Sequence, residues 1–308
     1  MKTPVTLVTG FLGSGKTTLV SRLLQHPDLD QTAVIVNELG EVGIDHHLLR
    51  QVDERTVLLK NGCVCCALRG DLADELRDLL SRRERGEIPA FRRVIVETTG
   101  LADPAPIAYT LLSEPVVKHH YRLDRVVTTV DAQHGLRGPE SVKQAAAADR
   151  LVVTKTDLAD PDPVIGELAR LNPPAPVVRS VFGEVEPSAL FDGSEPDIRE
   201  IEFADATEHE HEVQAVCMTF DQPLDWTAFG VWLTMLLQAR GDDLLRVKGL
   251  LNVGAEGPLV LNGVQHVVHP PEHLPDWPDE DRRTRIVFIG RGFTRQQLER
   301  SLSAFNAI

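Results

Sequence analysis

Val5-Thr6-Leu7-Val8-Thr9-Gly10-Phe11-Leu12-Gly13-Ser14-Gly15-Lys16-Thr17-Thr18-Leu19-Val20 begins as a β-branched apolar run, passes a glycine-rich turn and continues into a helical pattern. Residues 10 to 17 match G-x-x-x-x-G-K-[ST] in full. Glycines at these places let the loop turn tightly, so that consecutive backbone N–H groups converge on phosphate oxygens. Lys16 adds a point charge at the β/γ-phosphates, and the Thr17 hydroxyl is a ligand for Mg²⁺. The alternative is a chance glycine-rich turn, but an apolar strand before it and a helix N-terminus after it argue against that. The stretch implies nucleotide hydrolysis on an α/β domain.

Outward from this loop, apolar strand-like runs alternate with helical patterns, the signature of a mostly parallel sheet. Val5–Thr9, Thr32–Asn37, Arg93–Glu97, Arg125–Val130 and Leu151–Thr154 read as strands; Thr17–Leu24 and Asp71–Arg85 read as helices. Between Glu184 and Glu212 the composition changes to eleven acidic residues against one arginine, ending Glu208-His209-Glu210-His211-Glu212. Such runs are solvated linkers more often than metal traps. Beyond it, strands at Val213–Phe220, Leu244–Val253, Leu259–Val268 and Arg285–Ile289 and helices at Trp226–Gln238 and from Thr294 make a smaller α+β domain. The expected division is 1–205 for the P-loop domain, 206–212 for the acidic linker and 213–308 for the C-terminal domain.

The 308 residues are 42% hydrophobic and 25% charged, which suits a soluble globular chain with a sizeable core. A formal charge of −14 argues against a nucleic-acid surface, which needs Lys and Arg. No secretory leader and no membrane-spanning apolar stretch are read. Three of the four cysteines crowd into Cys63-Val64-Cys65-Cys66, a poor disulfide framework that points to a reducing, cytoplasmic setting.

Three further stretches carry chemistry. Val94-Ile95-Val96-Glu97-Thr98-Thr99-Gly100 offers an acidic strand end. Glu97 is a candidate for the Mg²⁺ water shell, or else caps the next turn; Gly100 lets a backbone N–H approach the γ-phosphate. Asp131, at another strand end, is a weaker candidate for the Glu97 role. Leu151-Val152-Val153-Thr154-Lys155-Thr156-Asp157 ends in T-K-x-D, one residue away from the N-K-x-D of many GTPases. An Asp157 carboxylate accepts from the ring N–H and exocyclic amine of guanine and would be left unpaired against adenine. Lys155 would lie along the base, and Thr154 replaces the usual Asn. The Asn61-Gly62-Cys63-Val64-Cys65-Cys66 turn presents soft thiolates suited to Zn²⁺ or Cu(I), with buried packing or a redox pair as alternatives. Glu38 or Glu41 can complete that site or touch the nucleotide; His46 and His47 are further candidate ligands, though a His pair in a polar loop is more often simply exposed. Glu38, Glu97 and Asp103 are all candidates to orient the attacking water, beside Lys16 and Thr17 at the phosphates.

GFLGSGKTT, NELGEVGID, NGCVCC, ETTGLADP and TKTD, in this order and spacing, resemble the CobW-type metallochaperone GTPases, most closely the YjiA-like branch. LLRVKGLL, LNGVQ and VFIG extend the resemblance into the second domain. It implies a slow GTPase with Mg²⁺ that binds zinc or cobalt (nickel is also open) and delivers it to a client metalloprotein. It further implies nucleotide contacts at Gly13, Ser14, Gly15, Lys16, Thr17, Thr18, Lys155 and Asp157. Metal is implied at Cys63, Cys65 and Cys66 with help from Glu38 or Glu41. Thr98 departs from many relatives, and the modest His content of the linker makes storage a weaker expectation. The rival readings are a metal buffer or sensor without hydrolysis, an ATP-dependent P-loop kinase, and a thiol redox switch. The second domain is left open between client binding and self-association.

Overall fold

The computed structural model describes residues 2–37, 57–61, 70–191 and 213–305. Glu38, Glu41, His46, His47, Cys63, Cys65, Cys66 and the 206–212 linker lie outside the described residues. The chain divides into two compact units, residues 1–168 with 176–193 and residues 169–175 with 194–308.

In the first unit, β1 (Thr3–Gly10), β2 (Thr32–Asn37), β3 (Val57–Asn61), β4 (Arg93–Glu97), β5 (Tyr121–Asp131), β6 (Arg150–Thr154) and β7 (Val177–Arg179) form one sheet. Their order is β3-β2-β4-β1-β5-β6-β7, with β1 in the middle. Every pairing is parallel. A parallel sheet needs helices on both faces, and the strand sequences show why both are apolar. Successive side chains alternate faces: Leu7, Ile35 and Val94 enter one core with Leu72, Leu76, Leu79 and Leu111. Their neighbours Val8, Val34, Val36 and Ile95 enter the other with Leu19, Val20, Leu23 and Val152. Leu76 and Leu79 are fully buried, and truncating either to Ala costs about 2–5 kcal/mol.

The expected strands and helices of this unit form within a residue or a few of their read boundaries. Beyond the expected elements the structure adds β3, the three-residue edge strand β7 and the helices Pro104–Ser113, Pro115–His120, Gly138–Ala147 and Asp162–Leu171. Two of these start at proline after a capping carboxylate: Asp103 accepts from the Ala105 N–H, and Glu114 from those of Val116 and Val117.

In the second unit, β8 (Gln214–Phe220), β9 (Leu244–Leu251), β10 (Leu259–Val264), β11 (Val267–Val268) and β13 (Thr284–Gly290) make an antiparallel sheet in the order β11-β10-β9-β13-β8. β12 (Glu272–His273) adds to β10. Helices Trp226–Arg240 and Arg295–Ala304 share its core, where the Trp232 indole donates to Ser301 Oγ at 2.8 Å. The stretch Leu259–Val268, expected as one strand, is instead a hairpin. Gln265 takes a left-handed φ of 51°, which turns the chain so that Val264 pairs with Val267.

Candidate functional site

The phosphate loop leaves β1 at the centre of the sheet, at the carboxyl ends of the strands where open α/β sheets bind ligands. Gly10 touches the neighbouring strand so closely that a Cβ would stand 2.3 Å from Thr129 Oγ1 and 2.4 Å from the Thr129 carbonyl oxygen. Only glycine fits there. The helix Lys16–Leu23 starts from Gly15, and among the described residues no side chain caps it and its first turn carries no acidic residue. A helix N-terminus of this kind favours an anion. Lys16 is buried and folds its ammonium over the loop, donating to the carbonyls of Gly10 (2.9 Å) and Phe11 (3.2 Å).

The side chains of Thr17 and Glu97 meet beside the P-loop. The Thr17 hydroxyl donates to Glu97 Oε1 at 2.5 Å, and the Glu97 side chain is buried at the end of β4. A hydroxyl and a carboxylate at a phosphate-binding helix terminus form a hard oxygen donor set, which fits Mg²⁺. Thr98 ties this strand end back to β1, its hydroxyl donating to Thr9 Oγ1 at 2.9 Å and its N–H to the Val8 carbonyl at 3.0 Å. The chain then turns across the P-loop. A Cβ on Gly100 would lie 2.6 Å from the Leu12 nitrogen, so the glycine permits the contact.

The T-K-x-D stretch reaches the same loop from β6. Thr154, where an Asn was the usual residue, donates its hydroxyl to the Ser14 carbonyl at 2.7 Å and packs against Gly15. Thr154 thereby ties the end of β6 to the P-loop. Ser14 is further held by Thr129, hydroxyl to hydroxyl at 2.6 Å. Asp157 stands exposed on the turn after β6. The Asp131 carboxylate receives Lys155 Nζ at 2.5 Å, with His134 Nδ1 at 3.0 Å and the Gln133 N–H at 2.8 Å. Burial opposes ionisation of Asp131. The hydrogen bonds from Lys155, His134 and Gln133 outweigh it and hold the carboxyl below its ordinary range. Asp103, a water-orienting candidate, caps the helix Pro104–Ser113 and lies 3.6 Å from Lys143.

Sequence reasoning missed one wall of the site. After β7, Ser180 is buried, its carbonyl accepts from the Thr156 hydroxyl at 3.3 Å, and Gly183 abuts the backbone of Thr18. This joins the T-K-x-D turn to the P-loop helix. A strand of three residues carries too little periodicity to mark it. Among the described residues, no group of three or more His, Cys, Asp or Glu stands ready to hold a metal, and no helix is long and apolar enough to cross a membrane.

The fold and site together define a P-loop GTPase: a central parallel sheet, a complete phosphate loop, an acidic strand end on its threonine and a T-K-x-D turn beside it. The chain belongs to the CobW/HypB/UreG family, whose nucleotide-binding domain matches residues 4–179, with a cobalamin synthesis protein cobW C-terminal domain at residues 213–306. It is 36% identical over 298 residues to the zinc chaperone YjiA of Escherichia coli K12, covering 93% of each chain. It is 30% identical over 340 residues to the zinc chaperone CobW of Pseudomonas aeruginosa, covering 94% of this chain and 88% of that one. The crystal structure of Zn(II)-bound YjiA GTPase from E. coli superposes with a TM-score of 0.76 at 29% identity, over 99% of both chains.

Proposed function

We propose that this protein is a GTP-driven zinc metallochaperone, in which nucleotide state governs when the metal is released to a client protein. The observation that carries the reading is the meeting of Thr17 with Glu97 on a P-loop whose other side is braced by the T-K-x-D strand. The relatives named as zinc chaperones, and the zinc-bound GTPase of the same fold, support zinc as the cargo.

In this reading Gly13, Ser14, Gly15 and Thr18 bind phosphate through backbone N–H groups, and Lys16 leaves its loop carbonyls to meet the β/γ-phosphates. Thr17 and Glu97 hold Mg²⁺, which when bound neutralises phosphate charge. Lys155 covers the base and Asp157 reads guanine. Gly100 places its N–H at the γ-phosphate. Catalysis is positioning and charge stabilisation. Glu38, Glu97 and Asp103 are the candidates to orient water, and Asp103 also caps the helix Pro104–Ser113. Cys63, Cys65 and Cys66 bind zinc, with Glu38 or Glu41 completing the site; cobalt and nickel are the competing metals. The 206–212 linker separates a GTPase domain ending at 205 from the domain 213–308, which serves client docking or self-association. The protein works in the cytoplasm.

Zinc titration of the reduced protein with GTP, GDP or no nucleotide tests this reading. A difference of about tenfold or more between nucleotide states is expected, as for ordinary allosteric coupling. The Cys65→Ser variant should lose the tight site. Identical affinities in all three states would end the coupling idea.

A further inference from the structure

We infer that Gln144 is a positioning residue for GTP hydrolysis: it locks the peptide after Gly100 so that the turn following Glu97 keeps its place against the P-loop. The inference rests on the reading of Gly100 as a γ-phosphate contact. Gln144 lies on the helix Gly138–Ala147 and is fully buried. Its amide nitrogen donates to two carbonyls of one turn, Gly100 at 3.1 Å and Ala102 at 2.9 Å. That uses both protons of the amide.

The need for such a clamp follows from the turn itself. A glycine leaves its peptides able to rotate, and Gly100 is glycine because the Leu12 backbone leaves no room for a Cβ. The same substitution that allows close approach therefore removes the stiffness that hydrolysis needs. Gln144 restores it from the other element. Its own backbone is anchored in turn, the Gln144 carbonyl accepting from the Thr128 hydroxyl at 2.8 Å. Thr128 adjoins Thr129, whose hydroxyl meets Ser14 of the P-loop at 2.6 Å. Turn, helix, β5 and phosphate loop are thus joined through Gln144, and only the turn is held by its side chain. A group that fixes a γ-phosphate contact matters to the triphosphate and to the transition state, and little to the diphosphate.

The test compares wild type with Gln144→Met, which keeps length and apolar bulk but loses both donors, and Gln144→Asn, which keeps the donors one methylene short. Phosphate release from GTP and affinities for GDP and a non-hydrolysable GTP analogue are measured on protein whose folding is checked by circular dichroism. Gln144→Met should lose about ten- to a hundredfold in kcat, the cost of a misplaced contact. Its GDP affinity should stay within about twofold while analogue affinity falls, and Gln144→Asn should lie between. Should Gln144→Met fail to fold, the Asn variant alone must show the same split between kcat and GDP affinity. A kcat equal to wild type, or equal loss for GDP and analogue, overturns the inference while leaving the GTPase reading intact. A wild-type chain that hydrolyses no GTP overturns both.

Discussion

Gly100 and Asp131 show how single residues set the geometry of the site. A methyl group at Gly100 has no room beside the Leu12 backbone, so Gly100→Ala must displace either the turn or the phosphate loop. GTP turnover is expected to fall at least about tenfold with the circular-dichroism spectrum unchanged, a result read directly by phosphate release. Asp131 holds Lys155 in place, and its folded carboxyl ionises below the ordinary value of 3.8. A depressed carboxylate stabilises the fold fully above its unfolded value and ceases to do so as pH falls through the folded one. The difference in unfolding free energy between wild type and Asp131→Asn should therefore be constant above about pH 5 and shrink below 3.8. Denaturant titrations across that range check it; a difference that grows on acidification would refute the assignment.

Among the elements, those with the plainest sequence signals are the ones buried on both faces or striped at helical spacing. β1, β2 and β4 read as strands because alternate residues fill two cores, and Leu72, Leu76 and Leu79 mark their helix by helical spacing. β7 escaped because three residues carry no period, and the helix Gly138–Ala147 because its buried positions are Ala, Ser and Gln, without large apolar side chains. The β10–β11 hairpin reads as one strand in sequence because the apolar pattern continues across a turn made by Gln265 in a left-handed conformation. In the second unit, β13 carries a charge into the interior: Arg285 is buried and grips Asp279 through two bonds of 2.8 and 3.0 Å. Asp279→Ala strands that guanidinium, with Asp281 as partial compensation, and should lower unfolding free energy by about 1–3 kcal/mol. The double variant Asp279→Ala/Arg285→Met should recover part of the loss in the same denaturation measurement.

For the whole molecule, the proposed coupling between nucleotide and metal has a reciprocal consequence. Whatever factor GTP confers on zinc affinity, zinc must confer on GTP affinity. Calorimetric titrations in both orders should therefore close the cycle; a mismatch would mean that the two ligands act through a step other than binding.

The motifs of this chain were enough to determine its class, because G-x-x-x-x-G-K-T, E-T-T-G and T-K-x-D are short contiguous segments whose backbone needs dictate their residues. They also placed the P-loop, Glu97 and the T-K-x-D turn in one α/β domain. What the tertiary structure alone decided is how those segments are braced. Thr154 bonding to Ser14, Asp131 receiving Lys155, Ser180 joined to Thr156 and Gln144 holding Gly100 all link residues far apart in sequence or hidden in patternless stretches. Such contacts arise from parallel strand order and helix placement, and no local periodicity encodes them.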